Sequence, residues 1–212
     1  MKKICFEGEE KFLFGINELA SQLGIVLSAE GKKIVCTRGG TGISVCFGKE
    51  ITLTYEHECD FFRGFSLAVQ HAERTEGEIN VQCGFRRFGT MLNCSSKVLS
   101  VECVKEFIRQ SALMGYNYLQ LYTEISYEVP NEPYFGYMKG RYSQKELREM
   151  TRYGEKLCVE LVPCIQTLGH MAELFKWGEY GEVHDIERVM LVDCERTYVL
   201  IENMLKSLSE CF

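Results

Sequence analysis

Two residues in this chain stand where a working side chain would be placed. Glu124 and His170 each follow a short apolar run that reads as a strand. A carboxylate accepts a proton or a hydrogen bond, and an imidazole exchanges protons near neutral pH. A carboxylate bonded to one imidazole nitrogen also fixes the tautomer presented by the other. Behind Glu124 comes a loop dense in aromatic residues, Tyr127, Tyr134, Phe135, Tyr137 and Tyr142, stiffened by Pro130 and Pro133. Strand, acid and aromatic loop in that order suggest a sugar site, with rings available for stacking and polar groups for hydroxyls. On spacing alone the plainer reading comes first, with His170 capping its loop and Glu124 solvated.

Hydrophobic periodicity outlines the elements that must hold these groups. Residues 90–94, 118–122 and 159–165 read as strands, the last apolar on both faces as a helix-covered sheet requires. Between them, residues 100–114 form a helix burying Val101, Val104, Ile108 and Ala112, with Gly115 at its C-cap. A second helix begins at Ser143, which forms a capping box with Glu146 and turns Leu147, Met150, Gly154 and Leu157 to the core. A third starts near Glu195, with Tyr198, Ile201, Leu205 and Leu208 on one stripe. Alternating strands and helices predict βα units with a parallel sheet. Three such units fall well short of a closed eightfold barrel, which takes roughly 250 residues. A doubly wound open sheet is the alternative, but the turn after the first strand, NCSSKVLS, lacks the glycines of a nucleotide-binding turn.

Residues 1–80 read as a separate α+β unit, and 81–212 as the βα region. The first opens with a strand over 3–6 and a helix sharing Ile16, Leu19, Ala20 and Leu23 on one face, ended by Gly24. Runs at 33–37, 42–47 and 50–55 predict an antiparallel meander, covered by a helix over 61–73. The segment RGGTG at Arg38 to Gly42 reads as a hairpin loop, since no helix follows it to cradle a phosphate. His57 and His71 have no ligand-spaced partner.

The 212 residues are 46% hydrophobic and 25% charged, with net charge −6 and no basic stripe, which argues against nucleic acid as a partner. Carboxylates are lopsided, 27 Glu against Asp60, Asp185 and Asp193 alone. Lys2 and Lys3 are followed at once by Glu7, Glu9 and Glu10, so no leader-like apolar region develops, and no apolar run reaches membrane-spanning length. The expectation is a cytoplasmic protein that binds no membrane. Eleven cysteines, an odd number without a C-x-x-C spacing, read as small buried hydrophobes. No metal and no cofactor is expected.

Four motifs in order, FGTMLNCSS, ALMGYNYLQLYTEISYEV, EPYFGYMKGRYS and ELVPCIQTLGHMAELFKWGEY, together resemble the β-N-acetylhexosaminidases of glycoside hydrolase family 20. The resemblance runs from about Phe88 to Phe212, and residues 1–80 are similar to the small domain that precedes the barrel in that family. It implies an α/β fold in which a small α+β N-terminal domain precedes the first three βα units of a TIM (β/α)8 barrel, the barrel incomplete. It also implies removal of terminal N-acetyl-hexosamine residues by a substrate-assisted retaining mechanism. The sugar's own acetamido oxygen attacks the anomeric carbon, a Glu protonates the leaving oxygen, and a preceding Asp orients the acetamido group. That Asp-Glu pair lies at the end of the fourth barrel strand in H-x-G-x-D-E, and this sequence holds no Asp-Glu dipeptide. The expectation is therefore a chain that stops just before its catalytic pair and is inactive alone. Self-association or the C-terminal remainder of the barrel would complete it, because its outer strands would be left as open edges.

The resemblance also raises Glu124 and His170 above the plainer reading, Glu124 orienting His170 and His170 contacting the general acid. Trp177, Tyr122, Tyr127 and Ser96 become sugar-contacting candidates, the ligands being N-acetylated amino-sugar glycans. Lys139 and Arg141 read as solvated charges. Two departures bear on activity. Ser96 stands where the family has an Arg that binds sugar hydroxyls, and Lys97 is only a point charge one position on. Ile125 stands where relatives carry an acid. A non-catalytic carbohydrate-binding or scaffold remnant is the rival expectation.

Overall fold

The computed structural model describes residues 1–82 and 84–212. They form two compact units. One is residues 1–89, 106–118 and 154–160, and the other is residues 90–105, 119–153 and 161–212.

The first unit is built on a six-stranded sheet of β1 (Lys2–Glu7), β2 (Ile25–Leu27), β3 (Lys32–Arg38), β4 (Ile43–Phe47), β5 (Ile51–Tyr55) and β6 (Glu78–Val81), in the order β2-β1-β3-β5-β4-β6. The predicted antiparallel meander is corrected here. β3 and β5 pair in parallel, from Ile34 opposite Ile51 to Arg38 opposite Tyr55, while β4 pairs antiparallel with β5 on its far side. RGGTG is consequently a crossover that skips one strand position, not a hairpin loop. Its last residue explains how. Gly42 has φ 66, a Cβ there would collide with the Val81 carbonyl, and its N–H donates to the Glu56 carboxylate at 2.7 Å. Strand pattern alone cannot register such an insertion, because the alternation of Ile51, Leu53 and Tyr55 toward the core is the same in either pairing.

Helices α1 (Leu13–Leu23) and α2 (Phe61–Gln70) also belong to this unit. Gly24 ends α1 in the left-handed region as expected, with φ 66. Almost every residue of α2 is buried, and its Phe61 ring stacks on Phe12 at 3.7 Å and lies 5.8 Å from Phe65. Apolar area removed from water at such rings is the dominant favourable term for a domain of this size.

The second sheet has three strands, β7 (Gly89–Asn93), β8 (Tyr118–Tyr122) and β9 (Glu160–Cys164), in chain order. Asn117 donates to the Phe88 carbonyl at one end and Cys94 to the Tyr122 carbonyl at the other, so β7 and β8 run parallel. Glu160 to Asn117 and Thr123 to Cys164 place β9 parallel to β8 in the same way. The crossovers are α3 (Val101–Met114) and α4 (Gln144–Glu155). Val104, Ile108 and Ala112 of α3 and Leu147 and Met150 of α4 are essentially inaccessible to solvent. The capping box is formed: Ser143 N–H donates to Glu146 at 2.8 Å, and Glu146 N–H donates to Ser143 Oγ at 3.2 Å.

Helix α5 (Glu195–Ser209) corrects the sequence in its facing. Tyr198 and Leu205 are about half exposed, whereas Thr197, Leu200, Met204, Ser207 and Leu208 are buried. Polar anchors set the rotation. Thr197 Oγ1 donates to the Leu191 carbonyl at 2.8 Å, Ser207 Oγ to the Glu128 carbonyl at 2.7 Å, and Arg196 Nη2 lies 2.7 Å from both carboxylate oxygens of buried Glu132. Leaving these groups without partners would outweigh hiding two more apolar side chains. Among the described residues no helix is long and apolar enough to cross a membrane, and the cysteines are free thiols.

Candidate functional site

All the groups singled out by sequence lie at the C-terminal ends of β7, β8 and β9, or in the loops that follow, within the second unit. Strand β8 delivers Glu124. Its ladder continues one residue past the strand, Thr123 N–H donating to Cys164 at 3.1 Å, and then closes a tight turn in which Ser126 N–H donates to Thr123 at 2.7 Å. Glu124 occupies that turn at φ 48, a left-handed conformation that L-residues avoid. His170, in the loop after β9, sits at φ 62. Strain of this kind, on the order of 1–2 kcal/mol per residue, persists only where the surroundings enforce it and gathers at functional positions.

A short relay holds the carboxylate. Gln166 Nε2 donates to the Tyr122 hydroxyl at 2.9 Å, and that hydroxyl donates to Glu124 Oε1 at 2.8 Å. The Tyr122 phenol is pushed up, chiefly by burial and further by its bond to Glu124, with the Gln166 bond opposing. The other carboxylate oxygen, Oε2, lies 3.8 Å from Lys139 Nζ, which is also 3.8 Å from Glu173. Lys176 closes the chain at 2.6 Å from Glu173 and, with Lys139, holds that carboxyl below the usual carboxylate range. The arrangement presents an oriented, charge-balanced acceptor at the end of a parallel strand, suited to a hydroxyl or an imidazole N–H.

The structure places the predicted residues unevenly. Glu124 and Tyr122 are brought together. His170 is exposed, and among the described residues the partners of Glu124 are Tyr122 and Lys139, not His170. The loop of residues 165–194 is fastened to itself, Met190 to Leu168 at 2.8 Å and Met171 to Arg188 at 3.0 Å, which fixes the backbone on both sides of His170. Trp177 is half-buried against Tyr134 and Tyr137. Ser96 is exposed, next to a turn in which Ser95 donates twice to Asn93 Oδ1, at 2.9 and 2.8 Å.

Tyr127 is corrected as a sugar-contacting candidate. It is fully buried, paired through its backbone with Tyr142 and packed edge-on against Phe135, and burial pushes its phenol up. Its hydroxyl, with those of Thr123 and Ser126, is buried without a hydrogen-bond partner among the described residues. Sequence reasoning missed Gln166, Lys139 and Glu173. Lys139 is an ion-pair partner rather than a solvated charge, and Arg141 Nη1 donates to the Phe135 carbonyl at 2.7 Å, holding the loop. No local signal marks these roles, since each partner lies on a different segment.

No protein-family profile and no characterised protein sequence matches the chain at a significant level. Solved structures do match it. The exo-β-N-acetylglucosaminidase of glycoside hydrolase family 20 from Vibrio harveyi, in complex with N-acetylglucosamine, is similar over 100% of this chain and 42% of its own, with TM-score 0.80 at 16% identity. The Streptomyces plicatus β-hexosaminidase with its product N-acetylglucosamine is similar over 98% of this chain and 52% of its own, with TM-score 0.78 at 19% identity. A β-N-acetylhexosaminidase from Bacteroides fragilis gives 0.72 at 16% identity, over 100% and 50%. This chain thus has the fold of the N-terminal part of family 20 β-N-acetylhexosaminidases and spans about half the length of these proteins.

Proposed function

We propose that these 212 residues supply the N-terminal part of a β-N-acetylhexosaminidase-type glycosidase acting on terminal N-acetyl-hexosamine residues by the substrate-assisted retaining mechanism. In this reading residues 1–80 are the small non-catalytic domain, and 81–212 are the first three βα units of a TIM barrel. The observation that carries it is Glu124. A carboxylate held in a left-handed turn at the end of a parallel strand, oriented by Tyr122 and balanced by Lys139, belongs to a fold shared along its whole length with amino-sugar hydrolases.

Glu124 is assigned as a positioning acceptor and His170 as the group that reaches the general acid. His170 would then have to turn toward Glu124 from its present exposed position once the remaining barrel and sugar are in place. With no Asp-Glu dipeptide in these residues, the purified 212-residue chain should not hydrolyse a chromogenic N-acetylglucosaminide. Turnover that copurifies with the chain through successive columns would sink this assignment. Ser96 in place of a family Arg removes a fork of donors for sugar hydroxyls and favours the second reading, a non-catalytic carbohydrate-binding or scaffold remnant of such an enzyme. Restoring Arg by Ser96→Arg should tighten N-acetylglucosamine binding if the strand ends form the sugar wall, and should leave it unchanged if they do not.

A further inference from the structure

We propose that a cavity in the first unit, beside the N-terminal ends of β1 and β3, is a binding site for an oxyanion of the phosphate or sulfate type. The site goes beyond the sugar reading and is independent of it, because every residue involved belongs to the first unit. Parallel pairing of β1 and β3, with Ile4 opposite Lys32, brings Lys2, Lys3 and Lys32 to the same end of the sheet. The turn after α2 supplies Arg74, whose backbone N–H donates to the His71 carbonyl at 2.9 Å. These four cations line a cavity of about 290 Å³, in which Glu73 is the one carboxylate and Thr75 the one hydroxyl among the described residues.

Charge pairing elsewhere in the unit sets this cluster apart. Lys33, the next residue of β3, lies 2.8 Å from Glu7 and 3.5 Å from Glu50, and Lys11 lies 2.8 Å from Glu9 and 2.7 Å from Glu58. Among the described residues neither Lys32 nor Arg74 has a carboxylate partner. Lys32 Nζ instead donates to the Gly48 carbonyl at 2.8 Å, and the Arg74 guanidinium lies 5.6 Å from the centre of the Phe47 ring. Lys2 Nζ donates to the Val69 carbonyl at 3.1 Å, which offsets the negative C-terminal end of α2. A carbonyl orients an ammonium without neutralising it, and each ammonium has three N–H groups, so Lys2 and Lys32 are held in place with donors to spare. Glu73 is 4.0 Å from Lys2 with its side chain 85% exposed, and Lys3 is 3.9 Å from an equally exposed Glu30, so solvent screens both pairs. The chain as a whole carries net charge −6, and this concavity runs against it. A tetrahedral dianion would meet ammonium and guanidinium donors from three segments at once, the charge-assisted bonds that such ligands form best.

Inorganic phosphate is titrated into the 212-residue chain by calorimetry, at constant ionic strength set by potassium chloride, with inorganic sulfate and glycerol 1-phosphate titrated alongside. Phosphate should bind saturably at one site. Lys32→Met and Arg74→Gln should each weaken it about tenfold, as the loss of a charge-assisted hydrogen bond implies. Lys32→Arg should retain binding, and Lys206→Met, at an exposed lysine of α5 in the second unit, should leave it unchanged. Tighter binding of glycerol 1-phosphate than of either free ion would support the site and assign its ligand as a phosphate ester, whereas the reverse order would support it as a site for the free oxyanion. Absence of saturable binding by all three anions would overturn the site. So would an affinity that is the same in the parent chain, Lys32→Met and Arg74→Gln, or one that Lys206→Met weakens as much as Lys32→Met does, since either marks general screening of surface charge. None of these results bears on the sugar reading of the second unit, which is tested by its own substitutions.

Discussion

The six-stranded sheet of the first unit and the strand ends of the second are built to different rules. Around Phe61 the side chains meet at ring distances of 3.7 to 5.8 Å, and neither Phe12, Tyr55, Phe61, Phe62 nor Phe65 is more than marginally exposed. In the loops after β8 and β9 the backbone is left-handed at five non-glycine residues, Glu124, Asn131, Met138, His170 and Glu187, three buried hydroxyls lack partners among the described residues, and tyrosines face solvent. The first region satisfies packing and polar groups together. The second carries backbone strain and unpaired polar groups, as the proposed site there would.

The sharpest way to break this contrast is truncation in each region. Phe61→Ala should lower the free energy of unfolding by about 3–5 kcal/mol, measured by denaturant titration, since the stacked Phe12 ring cannot fill the cavity. A loss below about 1 kcal/mol would mean the aromatic cluster is not the stabilising core. Glu132→Ala, which strands Arg196 beside the buried Tyr180 hydroxyl, should cost about 3 kcal/mol by the same measurement. Rescue by a further Arg196→Met would confirm that the loss comes from an unpaired charge.

Two substitutions should move the other way. Ser126→Ala removes a buried hydroxyl that has no hydrogen-bond partner among the described residues, so stability should hold or rise by up to about 1 kcal/mol. A clear loss would reveal a bond to bound water. His170→Gly should be more stable than His170→Ala by about 1 kcal/mol, because only glycine adopts φ 62 without strain. Equal melting temperatures would remove the claim of strain there. The smallest effect concerns pH. Glu173 is held below its ordinary value of 4.5, so its pairing with Lys176 and Lys139 contributes above that value and is lost as pH falls through the lower folded-state value. With its side chain 38% exposed, the difference between wild type and Glu173→Gln should stay under about 0.5 kcal/mol at pH 7 and vanish below the folded-state value.

Much of the fold was legible where a local rule suffices. The period-two run at Tyr118–Tyr122 is a strand with the expected bounds, Gly24 ends α1, and Ser143 with Glu146 starts α4. Failures came where partners are distant. The insertion of β5 between β3 and β4 depends on pairing that no alternation encodes, and the rotation of α5 depends on Glu132 and Glu128, dozens of residues earlier. Within the site, Glu124 could be picked out by its place after a strand. Its relay to Gln166 and Lys139 could not, nor could the burial of Tyr127, which was named as sugar-contacting, against the exposure of Tyr134, which was not.

Residue order alone establishes the alternation of three strands with amphipathic helices, the acid that follows the second of them, and the absence of an Asp-Glu dipeptide from these residues. Each is a property of neighbouring residues, fixed by backbone period and side-chain chemistry. Tertiary structure alone decided which aromatic rings are core and which face solvent. It also decided which cation balances Glu124 and which face of α5 is hidden. Those outcomes depend on desolvation and on partners brought together from different segments, and the free energy of a contact exists only once both sides are in place.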